Sequence, residues 1–402
     1  MPRRIRGALE ALNFFMADLQ AGTGPFLGVF LLAHDWQSGW IGTVMTLGGI
    51  AGMAMTVPAG ALVDTTRHKR LLIVMAGICT VLASTTVLAA QGFWAVVASQ
   101  IAAAIAGAAI GPAVAGITLG LVRQAGFNRQ LGRNQAFNHA GNMVGAGLSG
   151  LLGWRFGYPA VFALAAVFGL LSITSVLMIP AAAIDHRVAR GAPDADGAGN
   201  VSAWTVLVEC KPLLALAGAL TLFHLGNAAM LPLYGLAVVS AEHGNGPGFA
   251  ALTIVIAQGT MIVTALVAMR MAETDGYWLV LLISFASLPV RGLIAADVIQ
   301  YWGVVPVQVL DGVGAGLQSV AVPGLVARIL NGTGRVNVGQ GTVMTAQGIG
   351  ASLSPALGGW IAQQLGYPAA FLVLGALAIG STAIWLGFAG MLRPACAAVP
   401  YD

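Results

Sequence analysis

Residues 157–162 read Gly-Tyr-Pro-Ala-Val-Phe, and residues 366–371 read Gly-Tyr-Pro-Ala-Ala-Phe. The two stretches are offset by 209 residues. The same offset aligns other positions, namely Gly141 with Gly350, Leu148 with Leu357, Gly150 with Gly359, and Asn138 with Gln347. Such an extended match is unlikely to arise by chance. The repeat therefore predicts a chain built from two related halves.

The amino-acid composition indicates whether these halves are surrounded by water or by lipid. Of 402 residues, 58% are hydrophobic and only 8% are charged, whereas about a quarter are charged in an ordinary soluble domain. So few charges cannot cover a surface that faces water, which excludes a soluble enzyme, a disordered protein and a nucleic-acid binder. The apolar runs are continuous over about twenty residues, unlike the alternating strands of a membrane β-barrel. A polytopic helical membrane protein is predicted.

Twelve apolar segments are each long enough to cross the hydrocarbon core, which needs about twenty helical residues. They are residues 9–33, 40–63, 71–90, 94–122, 135–154, 160–180, 212–240, 249–269, 277–295, 301–326, 336–365 and 369–392. With the repeat, they predict an all-α integral membrane fold of twelve transmembrane helices in two pseudo-symmetric six-helix bundles. Residues 1–180 form the N-terminal bundle, 181–211 a Gly/Pro/Asp-rich cytoplasmic linker, and 212–402 the C-terminal bundle.

The basic residues predict the orientation. With a cytoplasmic N-terminus and twelve alternating spans, sixteen Lys and Arg residues fall on the cytoplasmic side and only Arg155 falls outside. This bias obeys the positive-inside rule. We expect a multi-pass protein of the bacterial inner membrane with both termini in the cytoplasm. The first segment carries Asp18 and exceeds a typical signal-peptide core of about 7–15 residues, so we interpret it as a retained helix.

The loop after the second segment carries a recognisable motif. Residues 60–70 read Gly-Ala-Leu-Val-Asp-Thr-Thr-Arg-His-Lys-Arg. This resembles the Gly-x-x-x-Asp-(Arg/Lys)-x-Gly-(Arg/Lys)-(Arg/Lys) loop of the major facilitator superfamily, and the resemblance extends over essentially the whole chain. It implies secondary transport by alternating access and a cytoplasmic gate formed by Gly60, Asp64, Arg67, Lys69 and Arg70. The alternative is that the basic residues only anchor the orientation.

Two further motifs differ from those of drug–proton antiporters in this family. Gln100 occupies the position of an Arg in the fourth span, and the fifth span lacks the Pro of the Gly-x-x-x-Gly-Pro-x-x-Gly-Gly pattern. The eleventh span resembles that pattern more closely, with Gly350-x-x-x-Ser-Pro355-x-x-Gly-Gly359. The resemblance favours export.

Charged side chains within membrane spans cost about 2.5–3.5 kcal/mol each on insertion scales. Asp18 lies beside a Gly- and Pro-containing stretch in the first span, where we expect it to bind a proton or a cationic group; the alternative is a structural partnership with a neighbouring helix. Arg291 and Asp311 lie in adjacent spans. They form either a coupling pair or a neutralised structural pair, unless Arg291 extends to the interface.

Four polar side chains and one glycine recur along one face of the fifth span, at Asn134, Asn138, Asn142, Gly145 and Ser149. Such a stripe lines a substrate cavity or forms hydrogen bonds between helices. The substrate-cavity candidates are Asn13, Gln20, Gln100, Gln135, Asn138, Asn142, Asn227, Gln308 and Gln347. The proton-coupling candidates are Asp18, Asp311, Arg291, His139 and His224, the histidines because they titrate near neutral pH.

Together these features predict a proton-coupled secondary active transporter that exports a small organic solute through a site between the two halves. Its partners are the solute, protons and the lipid bilayer, and we expect a monomer that binds no nucleic acid. No catalytic centre, cofactor or metal site is expected, because neither a nucleotide-binding loop nor a Cys/His cluster occurs. The alternatives are an importer of a metabolite or siderophore, and a membrane receptor or assembly protein that transports nothing.

Overall fold

Regular structure in the described part of the chain is entirely α-helical apart from short 3₁₀ turns. The computed structural model describes residues 1–21, 24–186, 189, 210–242, 246–330 and 336–397. The helices in these ranges are α1 Arg3–Ala21, α2 Gly24–Leu32, α3 Ser38–Thr65, α4 Lys69–Ala89, α5 Phe93–Ala108, α6 Ile110–Phe156, α7 Tyr158–Leu177, α8 Lys211–Asn227, α9 Met230–Glu242, α10 Gly246–Thr274, α11 Tyr277–Asp297, α12 Val304–Ile329, α13 Val336–Leu365, α14 Tyr367–Gly387 and α15 Ala389–Cys396.

Every predicted apolar segment falls on one or two of these helices. Within the described residues, eight stretches are long and apolar enough to cross a membrane. They correspond to the third, fourth, sixth to tenth and twelfth predicted spans. The other four predicted spans fall on α1 and α2, on α3, on the second part of α6, and on α13. The all-α membrane fold is confirmed, and the count of twelve spans stays a prediction.

The chain packs into two units that interleave in sequence. One comprises Met1–Asp35, Leu47–Asp196 and Asn245–Val255, and the other comprises Trp36–Thr46, Gly197–Gly244 and Ile256–Asp402. A buried apolar cluster of the first unit joins side chains of α1, α4, α6 and α7. Of these helices, α4 and α7 are apolar around much of their circumference, as helices facing both lipid and protein are. The predicted bundle boundaries, residues 1–180 and 212–402, stay a prediction.

Glycines permit equivalent close helix contacts within the two units. In the first unit, a Cβ on Gly141 of α6 would lie 1.9 Å from the carbonyl oxygen of Phe14 in α1. In the second unit, a Cβ on Gly350 of α13 would lie 2.2 Å from the carbonyl oxygen of Thr221 in α8. Small residues let helix backbones approach in this way. The aligned glycines of the sequence repeat therefore occupy matching structural positions.

The repeated Gly-Tyr-Pro sequence forms the same turn twice. Gly157 has φ 78° before α7, and Gly366 has φ 86° before α14. These positive values favour glycine because it has no Cβ. The following Tyr and Pro begin the helix, where a Pro lacks no required backbone donor. The repeat thus specifies a helix start as well as a packing position.

Helix α6 differs from the predicted pattern of two spans joined by a cytoplasmic loop. It runs for 47 residues with a break at Arg123, whose φ is 56° and ψ is −179°. Residues 124–134 contain no Pro that would end a helix. The predicted loop between the fourth and fifth spans is therefore helical.

Candidate functional site

The second unit buries a charged pair between α11 and α12. Arg291 Nη1 donates to Asp311 Oδ1 at 2.7 Å, and the Arg291 side chain is 0% exposed. The predicted pair is therefore present. Extension of Arg291 to an interface is wrong, because full burial leaves no part of its guanidinium in contact with solvent.

Two amide side chains also accept hydrogen bonds from this guanidinium. Nη1 of Arg291 also donates to Asn227 Oδ1 at 2.7 Å, which brings in α8. Nη2 donates to Gln308 Oε1 at a longer 3.4 Å. Among the described residues, Arg291 Nε and Gln308 Nε2 are buried without an acceptor. Since a buried unpaired donor costs about 1–3 kcal/mol, the cluster has capacity for a further acceptor.

A second polar group lies beside the charged pair. Nε2 of His224 in α8 is 3.2 Å from Nε2 of Gln347 in α13. Asp311 and Gln318 also interact with His224. Predicted candidates from α8, α12 and α13 are thus brought together by the fold. We refer to Arg291, Asp311, Asn227, Gln308, His224 and Gln347 as the polar cluster.

Sequence reasoning missed Gln318 as part of these surroundings. Its Nε2 donates to Ser284 Oγ at 3.0 Å, and Ser284 donates to the carbonyl oxygen of Gly314 at 2.9 Å. Gln318 follows Asp311 by seven residues, which places both on one helix face. The seven-residue spacing could have identified Gln318 as a neighbour of Asp311 from the sequence.

The asparagines along one face of α6 make different hydrogen bonds at different positions. Asn138 Nδ2 donates to the Asn13 carbonyl oxygen of α1 at 3.4 Å, and Asn142 Nδ2 donates to Asn138 Oδ1 at 3.4 Å. Asn13 itself is buried and donates to the carbonyl oxygen of Leu9 at 2.8 Å. Asn138 and Asn142 are half-buried. Both 3.4 Å contacts are at the long end of the hydrogen-bond range.

Asn134 is instead buried in a hydrogen-bonded chain. It accepts from Gln130 at 3.0 Å and donates to Thr118 at 3.0 Å, connecting the two parts of α6 on either side of the break. At Asn134, the stripe therefore forms structural hydrogen bonds between helical segments and does not line a cavity. Nearby, Arg133 forms an ion pair with Glu10 of α1 at 2.7 Å. Glu10 lies in the first apolar segment, and that position was the signal missed.

Two basic residues of the predicted gate motif, Lys69 and Arg70, bind helix carboxyl ends in the first unit. Lys69 is 1% exposed and donates to the carbonyl oxygens of Val63 and, at 3.2 Å, Thr66. Arg70 donates to the last carbonyls of α7, at 3.3 Å to residue 176 and 2.9 Å to residue 177. Cations at this end of a helix satisfy free carbonyls and oppose the negative end of its dipole.

The remaining candidates belong to the first unit or lie outside the described residues. Gly60 has open space around it and Arg67 is exposed. Gln100 packs against Gly48, and His139 is half-buried on α6. The candidates whose side chains lie outside the described residues are Asp18, Gln20, Asp64 and Gln135. Among described residues, no group of three His, Cys, Asp or Glu is arranged to hold a metal.

Comparisons with known proteins agree with this architecture. The sequence model described as Major Facilitator Superfamily matches residues 9–235 and 216–395. Two Mycobacterium tuberculosis proteins, of strains CDC 1551 / Oshkosh and ATCC 25618 / H37Rv, are 40% identical over 382 residues, covering 94% of this chain and 91% of theirs. Each bears the description "uncharacterized MFS-type transporter".

Solved structures share the fold at low identity. The crystal structure of the nucleoside transporter NupG matches with a TM-score of 0.76 and 13% identity, over 95% of this chain and 98% of that one. A bacterial homologue of the human lysosomal transporter Spinster, inward-facing and occupied, matches with a TM-score of 0.70 and 12% identity, over 99% and 98% of the two chains. At these identities the likeness concerns the fold alone.

Proposed function

This chain belongs to the major facilitator superfamily and is a secondary transporter, and from that premise we propose that it exports a small organic solute in exchange for protons. Transport proceeds by alternating access, with opposite sides of the membrane opened in turn. The two halves of the carrier are the bundles formed by residues 1–180 and 212–402, joined by the linker 181–211.

The observation that carries this proposal is the buried polar cluster of the second unit. Ionised groups inside a membrane protein are expensive and mark ion or substrate pathways. Here Arg291 and Asp311 are paired at 2.7 Å, and Arg291 Nε and Gln308 Nε2 lack an acceptor among the described residues. A site built only for stability would satisfy these donors. Two spare donors beside a carboxylate fit a cluster that exchanges partners during transport.

Separate residues take the coupling and the recognition roles. Asp18, within α1, carries the exchanged proton, and Asp311, which is paired with Arg291, is the second residue for proton coupling. The amide and imidazole groups that contact the solute are Asn138, Asn142, His139, His224, Asn227 and Gln347. Such groups both donate and accept hydrogen bonds. They suit a solute that carries polar groups on an otherwise apolar body.

The motif at residues 60–70 acts as a cytoplasmic gate in this proposal. Lys69 and Arg70 bind the carboxyl ends of α3 and α7. Because these contacts are hydrogen bonds to backbone carbonyls, a displacement of either helix end exchanges them for water or for other acceptors. In this proposal, the charge-assisted hydrogen bonds of Lys69 and Arg70 hold these helix ends while the gate is closed.

The test begins by finding a solute. A thermal-shift screen of purified protein identifies a stabilising compound, and proteoliposomes then measure its flux under an imposed pH gradient. Asp18→Asn is expected to abolish gradient-driven accumulation and to retain solute exchange without a gradient. Asp297→Asn, at an exposed end of α11, is the matched control and is expected to transport normally. Undiminished gradient-driven accumulation in Asp18→Asn would reject this residue as the proton carrier.

The direction of transport needs its own measurement. Bacterial inner-membrane vesicles of inverted orientation accumulate the solute if the protein exports it, and right-side-out vesicles accumulate it if the protein is an importer. The proposed location is the bacterial inner membrane with both termini in the cytoplasm, and the proposed state is a monomer. Impermeant labelling of single cysteines placed at the two termini tests the orientation.

A further inference from the structure

The first unit contains a basic cavity that the transport proposal does not use. Its volume is ≈ 350 Å³, within the range of about 300–1,000 Å³ that is typical of small-molecule sites. The lining residues come from the start of α1 and from both sides of the break in α6, and they are Met1, Arg6, Leu121, Val122, Arg123, Gln130 and Arg133. We refer to this space as the arginine cavity.

Among the described residues that line the arginine cavity, the charged side chains are all basic. Arg133 is held by Glu10 at 2.7 Å. Arg123 lies 3.8 Å from Asp185, and its side chain is 76% exposed, so this contact is loose. Among the described residues, no carboxylate pairs with Arg6. Counting only side chains that the structure describes, three lining guanidinium groups have two carboxylate partners, and one of the two ion pairs is weak.

The backbone at the centre of the cavity wall is strained. Arg123 has φ 56° and ψ −179°, a region that is almost confined to glycine. On the side of α6 before the break, the Gly120 carbonyl oxygen accepts from the Asp185 amide at 3.1 Å. This contact fixes the chain where α6 changes direction. The fold thus maintains an unfavourable conformation that places Arg123 along the same cavity as Arg6 and Arg133.

We propose that the arginine cavity binds a phosphate-bearing anion, supplied by the head group of an anionic phospholipid. Guanidinium groups match phosphate oxygens with paired hydrogen bonds. Basic pockets between the ends of membrane helices are suited to anionic head groups. Leu121 and Val122 give the wall an apolar part, against which the glycerol end of a lipid packs. The bound phosphate bridges the start of α1 to the break in α6.

The test compares lipid classes on purified full-length protein. Melting temperatures are measured in detergent micelles containing phosphatidylglycerol, phosphatidylcholine, or inorganic phosphate at matched ionic strength. We expect a saturable increase with phosphatidylglycerol and none with phosphatidylcholine. Arg6→Gln, and independently Arg123→Gln, should lose at least half of that increase. The control Arg270→Gln, an exposed arginine of the second unit, should keep it.

Each outcome decides the proposal. A saturable increase with inorganic phosphate that Arg6→Gln removes supports the phosphate site and identifies a soluble ligand as its source. An increase with phosphatidylglycerol alone that both variants reduce supports the lipid head group. If the increase is equal in the wild type, Arg6→Gln and Arg123→Gln, or absent in the wild type, the cavity does not bind phosphate and the proposal fails. Neither variant removes the Glu10–Arg133 pair, and Arg123→Gln removes only the loose contact with Asp185, in which the Arg123 side chain is 76% exposed.

Discussion

The buried pair of Arg291 and Asp311 gives the sharpest quantitative prediction. Its side chains are 0% and 10% exposed, so it belongs with buried pairs, whose disruption costs about 3–5 kcal/mol, and not with surface pairs worth about 0–1 kcal/mol. Asp311→Leu leaves a buried guanidinium that cannot lose its charge, and we expect the full cost. Arg291→Met leaves a carboxyl that can take up a proton, and we expect about 1–3 kcal/mol.

The double variant Arg291→Met/Asp311→Leu measures the interaction between the two charged groups separately from their contacts with other residues. With both charges removed, the free energy of unfolding should recover to within about 1 kcal/mol of wild type, because apolar replacements of buried pairs are often neutral. Reversible unfolding in mixed micelles of dodecyl sulfate and dodecyl maltoside, followed by tryptophan fluorescence, measures all four proteins. Costs that add to within about 0.5 kcal/mol would mean that the two groups do not interact. A stable double variant that still couples transport to protons would remove the pair from the proposed mechanism.

Two further predictions concern packing and helix ends in the first unit. Gly141→Ala should lower the free energy of unfolding by about 1–3 kcal/mol, because its Cβ meets the backbone oxygen of Phe14 at 1.9 Å. Gly147→Ala on the same helix meets nothing within 4 Å and should be neutral or stabilising; equal effects would contradict the close contact. Lys69→Met should cost about 1.5–3 kcal/mol by losing its charge-assisted bonds to helix carbonyls. Exposed Arg67→Met should stay within about 0.5 kcal/mol, and an unchanged midpoint for Lys69→Met would argue against the capping role.

The helical membrane fold was predictable because hydrophobicity and the sequence repeat act over many residues. Gly141 and Gly350 were aligned from sequence alone, and each permits a close helix contact. The Arg291–Asp311 pair was also accessible, since two opposite charges in adjacent apolar spans have few other partners.

What the sequence did not reveal depends on tertiary contacts. Arg123 and Arg133 were interpreted as loop residues, because basic residues usually flank spans. The continuation of α6 through this region is accompanied by the ion pair of Arg133 with Glu10, a partner 123 residues away. The residues next to Arg133 in sequence therefore do not indicate that Glu10 is its partner. Similarly, Asn134 can contact Thr118 only because α6 breaks at Arg123. The sequence does not predict this break, because position 123 is neither a glycine nor a proline.

The capping contacts of Lys69 and Arg70 bear on attempts to invert the protein in the bilayer. Reversing an insertion signal usually means deleting positive charges near a span. Arg3 and Arg4 are exposed, and surface substitutions usually change stability by no more than about 0.5 kcal/mol. Lys69 and Arg70 differ, because neutralising them also frees the final turns of α3 and α7. Lys69 and Arg70 also bind helix carbonyls, so a charge-reversed variant that misfolds would not be evidence about insertion.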